Sequence, residues 1–359
     1  MSSARLPDPG FWRGRRVFLT GHTGFKGAWL AVWLRHLGAE VMGYSWPPVA
    51  GGMFDRISSS LVIQDFRGDI RDTETVRKLV TEFQPHLVFH FAAQPIVRIS
   101  YVTPVETFSI NVVGTVSVLE AARHLDCLKG VVVITSDKVY RNDGSGTPLT
   151  EDAPLGGHDP YSASKSATEF AVDSMRASYF AGRNIPVVTA RAGNVIGGGD
   201  RHMDRIVPEA IDAALHDRTL ILRSPNATRP WQHVLEPLSG YLLYAEDIVT
   251  RRAEPPHSLN FGPDPLTVKD TVSELVTELY SLMGRGSWDK VAIAPFAEAP
   301  LLALDSTLAA RSLGWSPRMS AREALVMTWE WEAAAQSSGD LLDLTVAQIQ
   351  AYSDRPRTL

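Results

Sequence analysis

The sequence has almost no cysteine, no long apolar run and little excess of either charge. Its one cysteine, Cys127, excludes an intrachain disulfide and a multi-cysteine metal site, and we interpret it as a small core residue. No segment approaches the roughly 18 uninterrupted apolar residues of a spanning helix. The residues before Gly14 contain no apolar signal region. We therefore expect a cytoplasmic protein without a metal site.

The charge balance also limits the partners. The formal net charge is only -5 at pH 7. Proteins that bind nucleic acid or anionic membrane surfaces usually have a strongly basic patch or tail. We therefore expect neither nucleic acid nor a membrane as a partner.

Up to about residue 191, short apolar runs alternate with longer segments of helical period, which is typical of βαβ units. The predicted strands are Arg16–Thr20, Glu40–Tyr44, His86–Phe91, Val131–Thr135 and Pro186–Arg191, with a further strand before Gly68. The predicted helices are Gly24–Leu37, Asp72–Phe83, Pro104–Leu125 and Tyr161–Ala181, with Asp72 as an N-cap and Gly38 as a stop. Short strands that can be buried on both faces predict an α/β fold with a doubly wound, Rossmann-like parallel sheet.

Beyond residue 191 the alternation gives way to stretches rich in glycine, proline and tryptophan. Helices are predicted over Arg205–His216, Val268–Leu282 and Ser320–Gln336. A smaller C-terminal lobe is the simplest account. We predict a sheet domain over residues 1–191, joined by about 234–258, and a lobe over 192–233 and 259–359. Charged residues and prolines between Ala245 and Pro256 predict a solvated connection.

A glycine-rich loop follows the first predicted strand directly and opens a helix. It contains Gly21, His22, Thr23, Gly24, Phe25, Lys26 and Gly27. The first glycine allows a tight turn, the second a close approach of the backbone to a pyrophosphate, and the third close packing of helix and strand. The helix N-terminus then faces the negative charge. This context predicts a dinucleotide-binding loop.

The second strand ends in Gly43-Tyr44-Ser45-Trp46, without the carboxylate that usually grips the adenosine ribose. Asp69 follows the presumed third strand, at a position where the carboxylate in this class of fold accepts a hydrogen bond from the adenine amino group. A capping or loop role is the alternative for Asp69.

Tyr161 and Lys165 are four positions apart at the start of a predicted helix, so their side chains share one face. A neighbouring ammonium favours the phenolate, and we therefore expect Lys165 to lower the pKa of Tyr161. The phenolate could then accept a proton from a sugar hydroxyl while hydride leaves the same carbon. Lys165 is also expected to hold the nicotinamide ribose.

Polar residues follow the predicted strand Val131–Thr135 at its carboxyl end. They are Ser136, Asp137 and Lys138. Ligands bind at this end of the strands in an open α/β sheet, although such residues can also be plain turn formers.

Taken together, six segments resemble the CDP-glucose 4,6-dehydratase family of extended short-chain dehydrogenase/reductase enzymes over about residues 11 to 332. They are Gly21 to Gly27, Phe91-Ala92-Ala93-Gln94-Pro95, Thr135-Ser136-Asp137-Lys138, the Tyr161/Lys165 pair, Arg191 to Asp200 and Ala227 to Val234. The glycine loop and the Tyr/Lys pair are shared by the whole superfamily. The other runs are narrower.

The resemblance implies NAD as cofactor and CDP-glucose as substrate. In the family mechanism, hydride leaves C4 for NAD, water is lost across C5 and C6, and the hydride returns to C6. Asp137 resembles the acid that protonates the departing C6 hydroxyl. Lys138 resembles the base at C5, where related dehydratases have glutamate. As an ammonium it would instead stabilise the developing enolate. Ser136, Tyr161 and Lys165 complete the catalytic set.

The resemblance also implies binding residues, and it gives the smaller lobe to the substrate. The residues implied for NAD are Gly21, His22, Thr23, Gly24, Phe25, Lys26, Gly27, Asp69, Ile70, Ala92, Ala93, Gln94, Tyr161 and Lys165. Those implied for the nucleotide sugar are Gln94, Asn194, Arg205, Arg229 and Asn260, since a diphosphate needs cationic and amide donors. We expect Asn111 to support the sheet instead of contacting substrate.

Three departures accompany the resemblance. Arg201 and His202 stand where the family's glycine-rich stretch runs into tryptophan, and Val139 stands where cysteine is frequent. His22 is a family trait, yet a bulky polar side chain in the loop is expected to loosen NAD. With no acid after the second strand, NAD should be partly dissociable, and His22→Gly should tighten it.

The scaffold alone does not fix the function. The alternatives are another nucleotide-sugar dehydratase, an epimerase or decarboxylase, and a non-catalytic NAD-sensing protein. An acid and base for elimination disfavour an epimerase, and the intact Tyr161/Lys165 pair disfavours a sensor. Finally, the alanine-bearing helices over Pro104–Leu125 and Tyr161–Ala181 predict a homo-oligomer, a dimer or tetramer, through a four-helix interface.

Overall fold

The computed structural model describes residues 5–251, 254–265, 270–291, 302–337 and 339–355. At the centre of the described residues lies a parallel sheet of seven strands. In spatial order these are β3 (Gln64–Arg67), β2 (Glu40–Ser45), β1 (Arg16–Thr20), β4 (Leu87–His90), β5 (Gly130–Ile134), β6 (Val187–Ala192) and β10 (Ser258–Phe261). The strand order reverses between β1 and β4. This confirms the doubly wound fold and places a ligand crevice at that point.

Helices cover both faces of the sheet, and others lie apart from it. In chain order the described helices are α1 (Pro9–Trp12), α2 (Phe25–His36), α3 (Met53–Ile57), α4 (Thr73–Phe83), α5 (Val97–Val102), α6 (Pro104–Phe108), α7 (Gly114–Ala122), α8 (Pro160–Met175), α9 (Ile206–Leu215), α10 (Leu235–Thr250), α11 (Val272–Met283), α12 (Thr307–Leu313), α13 (Ala321–Ala334) and α14 (Leu341–Ser353). Single π or 3₁₀ turns occupy Ser109–Val113, Asp137–Val139, Arg176–Phe180 and Ala181–Arg183.

The two faces of the sheet belong to two separate cores because successive side chains of a strand point to opposite sides. Val132 and Ile134 of β5 pack with α2 and α10, whereas Val131 and Val133 pack with α4 and α7. All of β5 is buried. The apolar runs in the sequence are therefore the two-sided strands of a parallel sheet.

The predicted boundaries agree with the structure to within a few residues for the elements of the sheet region. Asp72 caps α4, because its side chain accepts a hydrogen bond from the backbone N–H of Thr75 at 3.1 Å. Gly38 follows the end of α2 with φ +86°. The predicted helix Val268–Leu282 begins at Val272 in the structure, and residues 268–269 lie outside the described residues.

One helical run, Pro104–Ala122, is long and apolar enough to cross a membrane by length and composition alone. It consists of α6, the π turn and α7. Of its most apolar window, 56% is buried inside the protein. Packing of α7 on α4 and α8 accounts for that composition.

The predicted solvated connection between Ala245 and Pro256 is wrong in its first half. Helix α10 continues to Thr250 and is buried through Ile248. Its charged residues have partners: the Glu246 carboxylate accepts hydrogen bonds from the backbone N–H of Asp8 at 2.7 Å and from Trp12 Nε1 at 2.8 Å. Pairing inside the protein therefore explains a charge that the sequence pattern attributes to solvent.

After residues 192–233 and helix α10, the chain returns to the main sheet with β10. Strand β10 lies parallel to β6, with Asn260 opposite Arg191. The predicted border after residue 258 divides this strand, so residues 259–261 belong to the sheet and not to the lobe. Near the C-terminus, α14 packs on α2 of the same sheet region.

A third apolar cluster lies apart from the sheet and joins α9, α11 and α13. Two short parallel ladders accompany it, β7 (Val195–Ile196) with β9 (Gln232–His233) and β8 (Thr219–Leu222) with β11 (Ser287–Lys290). The segment between β7 and α9 contacts α2 and α3, because Trp29 Nε1 donates to the Gly198 carbonyl at 3.0 Å and the Met53 N–H to the Gly199 carbonyl at 2.9 Å.

Candidate active site

The loop after β1 is shaped for close approach of a ligand to backbone. Gly21 has φ +76°, and a Cβ there would lie 2.6 Å from the Ala92 backbone nitrogen. A Cβ on Gly27 would lie 2.1 Å from the Gly21 carbonyl oxygen, so only glycine lets α2 start against β1. No side chain caps α2 at Gly24. Its first N–H groups are thus left to a ligand, and this loop fits a dinucleotide pyrophosphate.

His22 lies beneath the loop and is fully buried. Its ring fills the space over Gly43, where a Cβ would lie 2.4 Å from the imidazole, and it packs edge-on against Phe54. Nε2 is 2.7 Å from a carboxylate oxygen of Asp65. Burial lowers the pKa of His22, although Asp65 opposes the shift. Any effect of His22 on NAD must therefore act through the shape of the loop.

The end of β2 lacks the carboxylate that usually binds the adenosine ribose, and hydroxyl groups form hydrogen bonds there instead. The Thr23 hydroxyl lies 2.7 Å from the Ser45 hydroxyl and donates to the Trp46 carbonyl at 2.9 Å. The Asp69 carboxylate, implied for adenine, is held by the backbone N–H and the guanidinium of Arg71. Hydrogen bonds from Arg71 are the main cause that lowers the pKa of Asp69. An adenine amino group would share this carboxylate with Arg71. Ile70, also implied for NAD, is buried.

The Tyr161/Lys165 pair lies where the sequence predicts it, at the start of α8. The Asp159 carboxylate caps the helix by accepting from the Ser162 N–H at 2.9 Å. Both Tyr161 and Lys165 are buried. The Lys165 ammonium donates to the Ile134 carbonyl at the end of β5, at 3.1 Å.

The predicted effect of Lys165 on Tyr161 is wrong in this structure. Burial raises the pKa of Tyr161 to about 12, against a hydrogen bond with Ser136 and the charge of Arg205, which lower it. Burial also lowers the pKa of Lys165 to about 8, which Glu169 opposes. Desolvation of both groups outweighs the pairwise attraction that the sequence suggests.

The polar run after β5 forms a compact turn. Ser136 donates to one Asp137 carboxylate oxygen at 2.9 Å and accepts from the Lys138 backbone N–H at 3.2 Å. Asp137 is buried, and burial raises its pKa despite the opposing charges of Lys138, Lys26 and Arg229. A Cβ on Gly193 would lie 3.1 Å from the other Asp137 oxygen. A carboxyl with a raised pKa is suited to act as an acid.

Lys26 adds a positive charge to this site, whereas the sequence places it only among the residues that bind NAD. Burial is the main cause that lowers its pKa to about 8, and the nearby charges include Arg205, Asp137 and Lys165. Its ammonium therefore faces the same space as the proposed acid. The available signal was a lysine in the first turn of a helix whose next eight residues are all apolar.

Two of the residues implied for substrate lie near this space. Arg205 donates to the Asp200 carboxylate at 2.7 Å and acts on the charges of Lys26 and Tyr161. Arg229 lies close enough to Asp137 to lower its pKa. Asn194 is exposed beyond the end of β6.

The remaining two residues implied for substrate, Asn260 and Gln94, use their side-chain amides for hydrogen bonds inside the protein. The Asn260 amide is fully buried, accepts from the Tyr140 hydroxyl at 2.7 Å and donates to the carbonyls of Leu149 and Asp305. Gln94 donates to the Thr107 hydroxyl at 2.9 Å and accepts from the Ile96 N–H at 2.6 Å. The structure does not bring either amide to the site as a free donor. In the same loop after β4, Ala92 and Ala93 are half-buried.

Asn111 supports the loop after β4, as expected. Its side chain accepts from the Gln94 N–H at 2.8 Å and donates to the Ser164 hydroxyl on α8 at 2.8 Å. It thereby fixes α8, and with it Tyr161, against the end of the sheet.

This geometry can be compared with known proteins. A model of the GDP-mannose 4,6 dehydratase family matches residues 18–328. The chain belongs to this family. It is also 42% identical over 352 residues to CDP-glucose 4,6-dehydratase of Salmonella typhimurium, with 96% of this chain and 98% of that protein covered.

The solved structures agree on the fold of this family member. DesIV, a dTDP-glucose 4,6-dehydratase from Streptomyces venezuelae solved with NAD, has a TM-score of 0.76 and 25% identity over 90% of this chain and 99% of its own. A UDP-glucose 4-epimerase of Thermotoga maritima has a TM-score of 0.77 at 21% identity, over 90% of this chain and 100% of its own. Dehydratases and epimerases thus share this scaffold.

Proposed function

We propose that this chain is an NAD-dependent CDP-glucose 4,6-dehydratase that converts CDP-D-glucose to CDP-4-dehydro-6-deoxy-D-glucose in deoxysugar biosynthesis. The observation that carries the proposal is the Ser136-Asp137-Lys138 turn beside Tyr161 at the carboxyl end of β5. An elimination needs an acid and a base next to the group that assists oxidation. The Salmonella relative supports cytosine as the base of the nucleotide.

A bound NAD would supply the acceptor for the C4 hydride and the donor of the hydride to C6. The loop of Gly21, Gly24 and Gly27 would hold its pyrophosphate, since an added Cβ at Gly21 or Gly27 would collide with backbone. Thr23, Phe25, Lys26, Ile70 and Ala92 are proposed to line the same path. Lys165 would hold the nicotinamide ribose.

Tyr161 is proposed to take the proton of the C4 hydroxyl. Its raised pKa means that it must first release its own proton. The hydrogen bond with Ser136 and the positive charge of Arg205 both favour the phenolate. The single proton of the Ser136 hydroxyl is donated to Asp137 in this structure, and we propose that it turns to Tyr161 when the phenolate forms.

Asp137 and Lys138 are proposed to act after this oxidation. The C5 proton becomes acidic only when C4 is a ketone, and the C6 hydroxyl leaves only when it is protonated. Burial raises the pKa of Asp137, which favours the protonated form that supplies this proton. Lys138 removes the C5 proton, or as an ammonium it stabilises the enolate. Arg205 and Arg229 are proposed for the diphosphate.

We expect no net NADH to accumulate during turnover, because the hydride taken from C4 returns to C6 in the same cycle. Absorbance at 340 nm, followed with CDP-glucose and catalytic NAD, should show only a transient equal to or below the enzyme concentration. An NADH signal that persists in proportion to substrate would contradict the proposal.

The substrate is tested by incubating the purified chain with CDP-, dTDP-, UDP- and GDP-glucose and identifying the products. A 4-keto-6-deoxy product formed fastest from CDP-glucose is expected. The same product from another base would indicate a different nucleotide-sugar dehydratase. A C4 epimer would indicate an epimerase, and NAD binding without product would indicate a sensor.

We also propose that the chain is a cytoplasmic homodimer. Large apolar side chains are exposed on α5, α6 and α8, namely Val102 (81%), Val105 (83%) and Phe170 (62%). Exposed apolar patches of this kind usually mark association surfaces. The family's pairing of these helices makes a second copy of the chain the proposed occupant.

Charges on this face should separate the subunits. Val105→Asp combined with Phe170→Asp is expected to give a particle of about the chain mass, 39.4 kDa, by light scattering, whereas the unmodified chain gives at least twice that. Val62→Asp, at a site of similar exposure (75%) on another surface, is the matched control and should leave the mass unchanged. A monomeric unmodified chain would refute the dimer.

A further inference from the structure

We infer that the buried ion pair between Glu169 and Arg191 is a positioning device that holds the turn Ser136–Val139 from both of its ends. The catalytic consequence of this inference rests on the proposed function, whereas its structural part does not. Neither residue contacts the proposed reacting atoms.

The ion pair is well formed and isolated from solvent. The Glu169 side chain, on α8, is 5% exposed, and the Arg191 side chain, on β6, is 6% exposed. Arg191 donates through Nε and through one terminal nitrogen, each 2.9 Å from a different carboxylate oxygen of Glu169. This two-bond geometry fixes both side chains relative to each other.

The residue before the turn is bound to this pair. The Thr135 hydroxyl donates to the Glu169 carboxylate at 2.6 Å. The residue after the turn is bound to it as well, because the other terminal nitrogen of Arg191 donates to the Tyr140 hydroxyl at 2.8 Å. That hydroxyl then donates to Asn260 on β10 at 2.7 Å.

The end of the turn is also held directly, because the Val139 carbonyl accepts from the Gly156 N–H at 2.8 Å and from the Ser166 hydroxyl at 2.7 Å. Within the turn, Ser136 donates to Asp137 at 2.9 Å. The two bonds from its backbone N–H groups are longer, from Lys138 to the Ser136 hydroxyl at 3.2 Å and from Val139 to the Ser136 carbonyl at 3.4 Å. Such long bonds are weak. Buried ion pairs often add little net stability compared with apolar packing, so the position of this one indicates another use.

The same carboxylate also acts on Lys165. Glu169 lies one helical turn after Lys165 on α8, and it opposes the burial that lowers the pKa of Lys165 to about 8. Three other titratable groups face Lys165: Lys26 on α2, His90 at the end of β4 and Tyr161 on its own helix. His90 is neutral, because burial lowers its pKa to about 3. Glu169 is therefore the anion that sustains the Lys165 charge.

The structural part is tested by hydrogen exchange on two matched variants. Thr135→Val removes the bond to the turn, whereas Thr189→Val removes a bond of 2.8 Å to the same carboxylate from β6, away from the turn. Thr135→Val should speed exchange of the amides of residues 136–139 by about fivefold to tenfold, the effect of one hydrogen bond. Thr189→Val should leave them unchanged. Equal exchange at these amides in both variants would overturn the inference.

The electrostatic part is tested by pH profiles of single-turnover NADH formation. Protonated Lys165 is present below its pKa and is lost as the pH rises through it, so the alkaline limb should move to lower pH in Glu169→Gln. A merely structural defect would lower the amplitude of NADH formation and leave the alkaline limb of the pH profile at its original pH. That result, in a variant with a normal melting temperature, would overturn the assignment.

Should Glu169→Gln fail to fold, Tyr140→Phe keeps the ion pair and removes both bonds of the Tyr140 hydroxyl, the one from Arg191 and the one to Asn260. This variant should lower the rate of dehydration more than the rate of NADH formation, and Thr189→Val should change neither. Loss of both rates in equal proportion would contradict positioning of the turn. If the unmodified chain does not act on CDP-glucose, the proposed function fails, and hydrogen exchange still decides the inference.

Discussion

Tyr161→Phe is expected to slow the formation of enzyme-bound NADH by about a hundredfold to ten-thousandfold, the usual contribution of one general acid–base group. Oxidation at C4 requires loss of the hydroxyl proton as the hydride departs, and phenylalanine cannot accept it. The ring of Tyr161 is buried beside the turn, and phenylalanine keeps that packing. CDP-glucose should therefore still bind. Stopped-flow absorbance at 340 nm measures the rate.

Tyr179→Phe is the matched control for this variant. Tyr179 lies in the π turn after α8, its ring is 46% exposed and stacks with Arg123, and phenylalanine retains that contact. The control should form NADH at the unmodified rate. An NADH signal from Tyr161→Phe that matches the control would show that another group accepts the proton. Lys26 would then be the first candidate, because its pKa of about 8 lets it lose a proton near neutral pH.

The parts of the fold that could be predicted are those governed by local patterns. The strands around Val17, Val88 and Val132 are short, apolar and buried on both faces, so their pattern is unambiguous. Strand β10 escaped prediction because Ser258-Leu259-Asn260-Phe261 is short and contains two polar residues. Its place in the sheet follows from pairing with β6, which no local pattern reports.

The parts of the site that could be predicted are those that depend on the order of residues along one element. Tyr161 and Lys165 share a helix face by spacing, and Ser136 and Asp137 follow a strand. The amide of Asn260 is different, because its partners lie more than 40 residues away along the chain. No sequence pattern around Asn260 shows whether its amide binds other parts of the protein or the substrate.

The sign of a pKa shift is harder still to predict from sequence. Neighbours along a helix give the attraction between Tyr161 and Lys165, but the larger effect comes from how deeply each group is buried. Burial depends on elements as distant as α2 and β5. The chemistry of this pair could thus be located from the sequence, and its electrostatics could not.

Asp137→Asn should separate the second half of the reaction from the first. The asparagine side chain has nearly the same shape and still accepts a hydrogen bond from Ser136, which now spans 2.9 Å. Tyr161 keeps its neighbour Ser136, and the lost Asp137 charge is one that raises the pKa of Tyr161, so its removal does not hinder the phenolate. Transient NADH should therefore form at close to the unmodified rate. Protonation of the C6 hydroxyl is lost, and dehydration should fall by about a hundredfold to ten-thousandfold. Stopped-flow absorbance and product analysis on the same samples measure the two steps.

The pH dependence of the unmodified chain gives an independent check of the same role. Burial raises the pKa of Asp137, so its protonated form extends to higher pH than an ordinary carboxyl allows. Dehydration should therefore decline as the pH rises through that pKa, and Asp137→Asn should abolish this decline. Asp126→Asn, which removes an exposed carboxylate paired with Arg183, should keep both the rate and the profile. If Asp137→Asn instead blocks NADH formation as fully as Tyr161→Phe while substrate still binds, Asp137 acts in the oxidation, and its bond with Ser136 becomes a means of holding Tyr161.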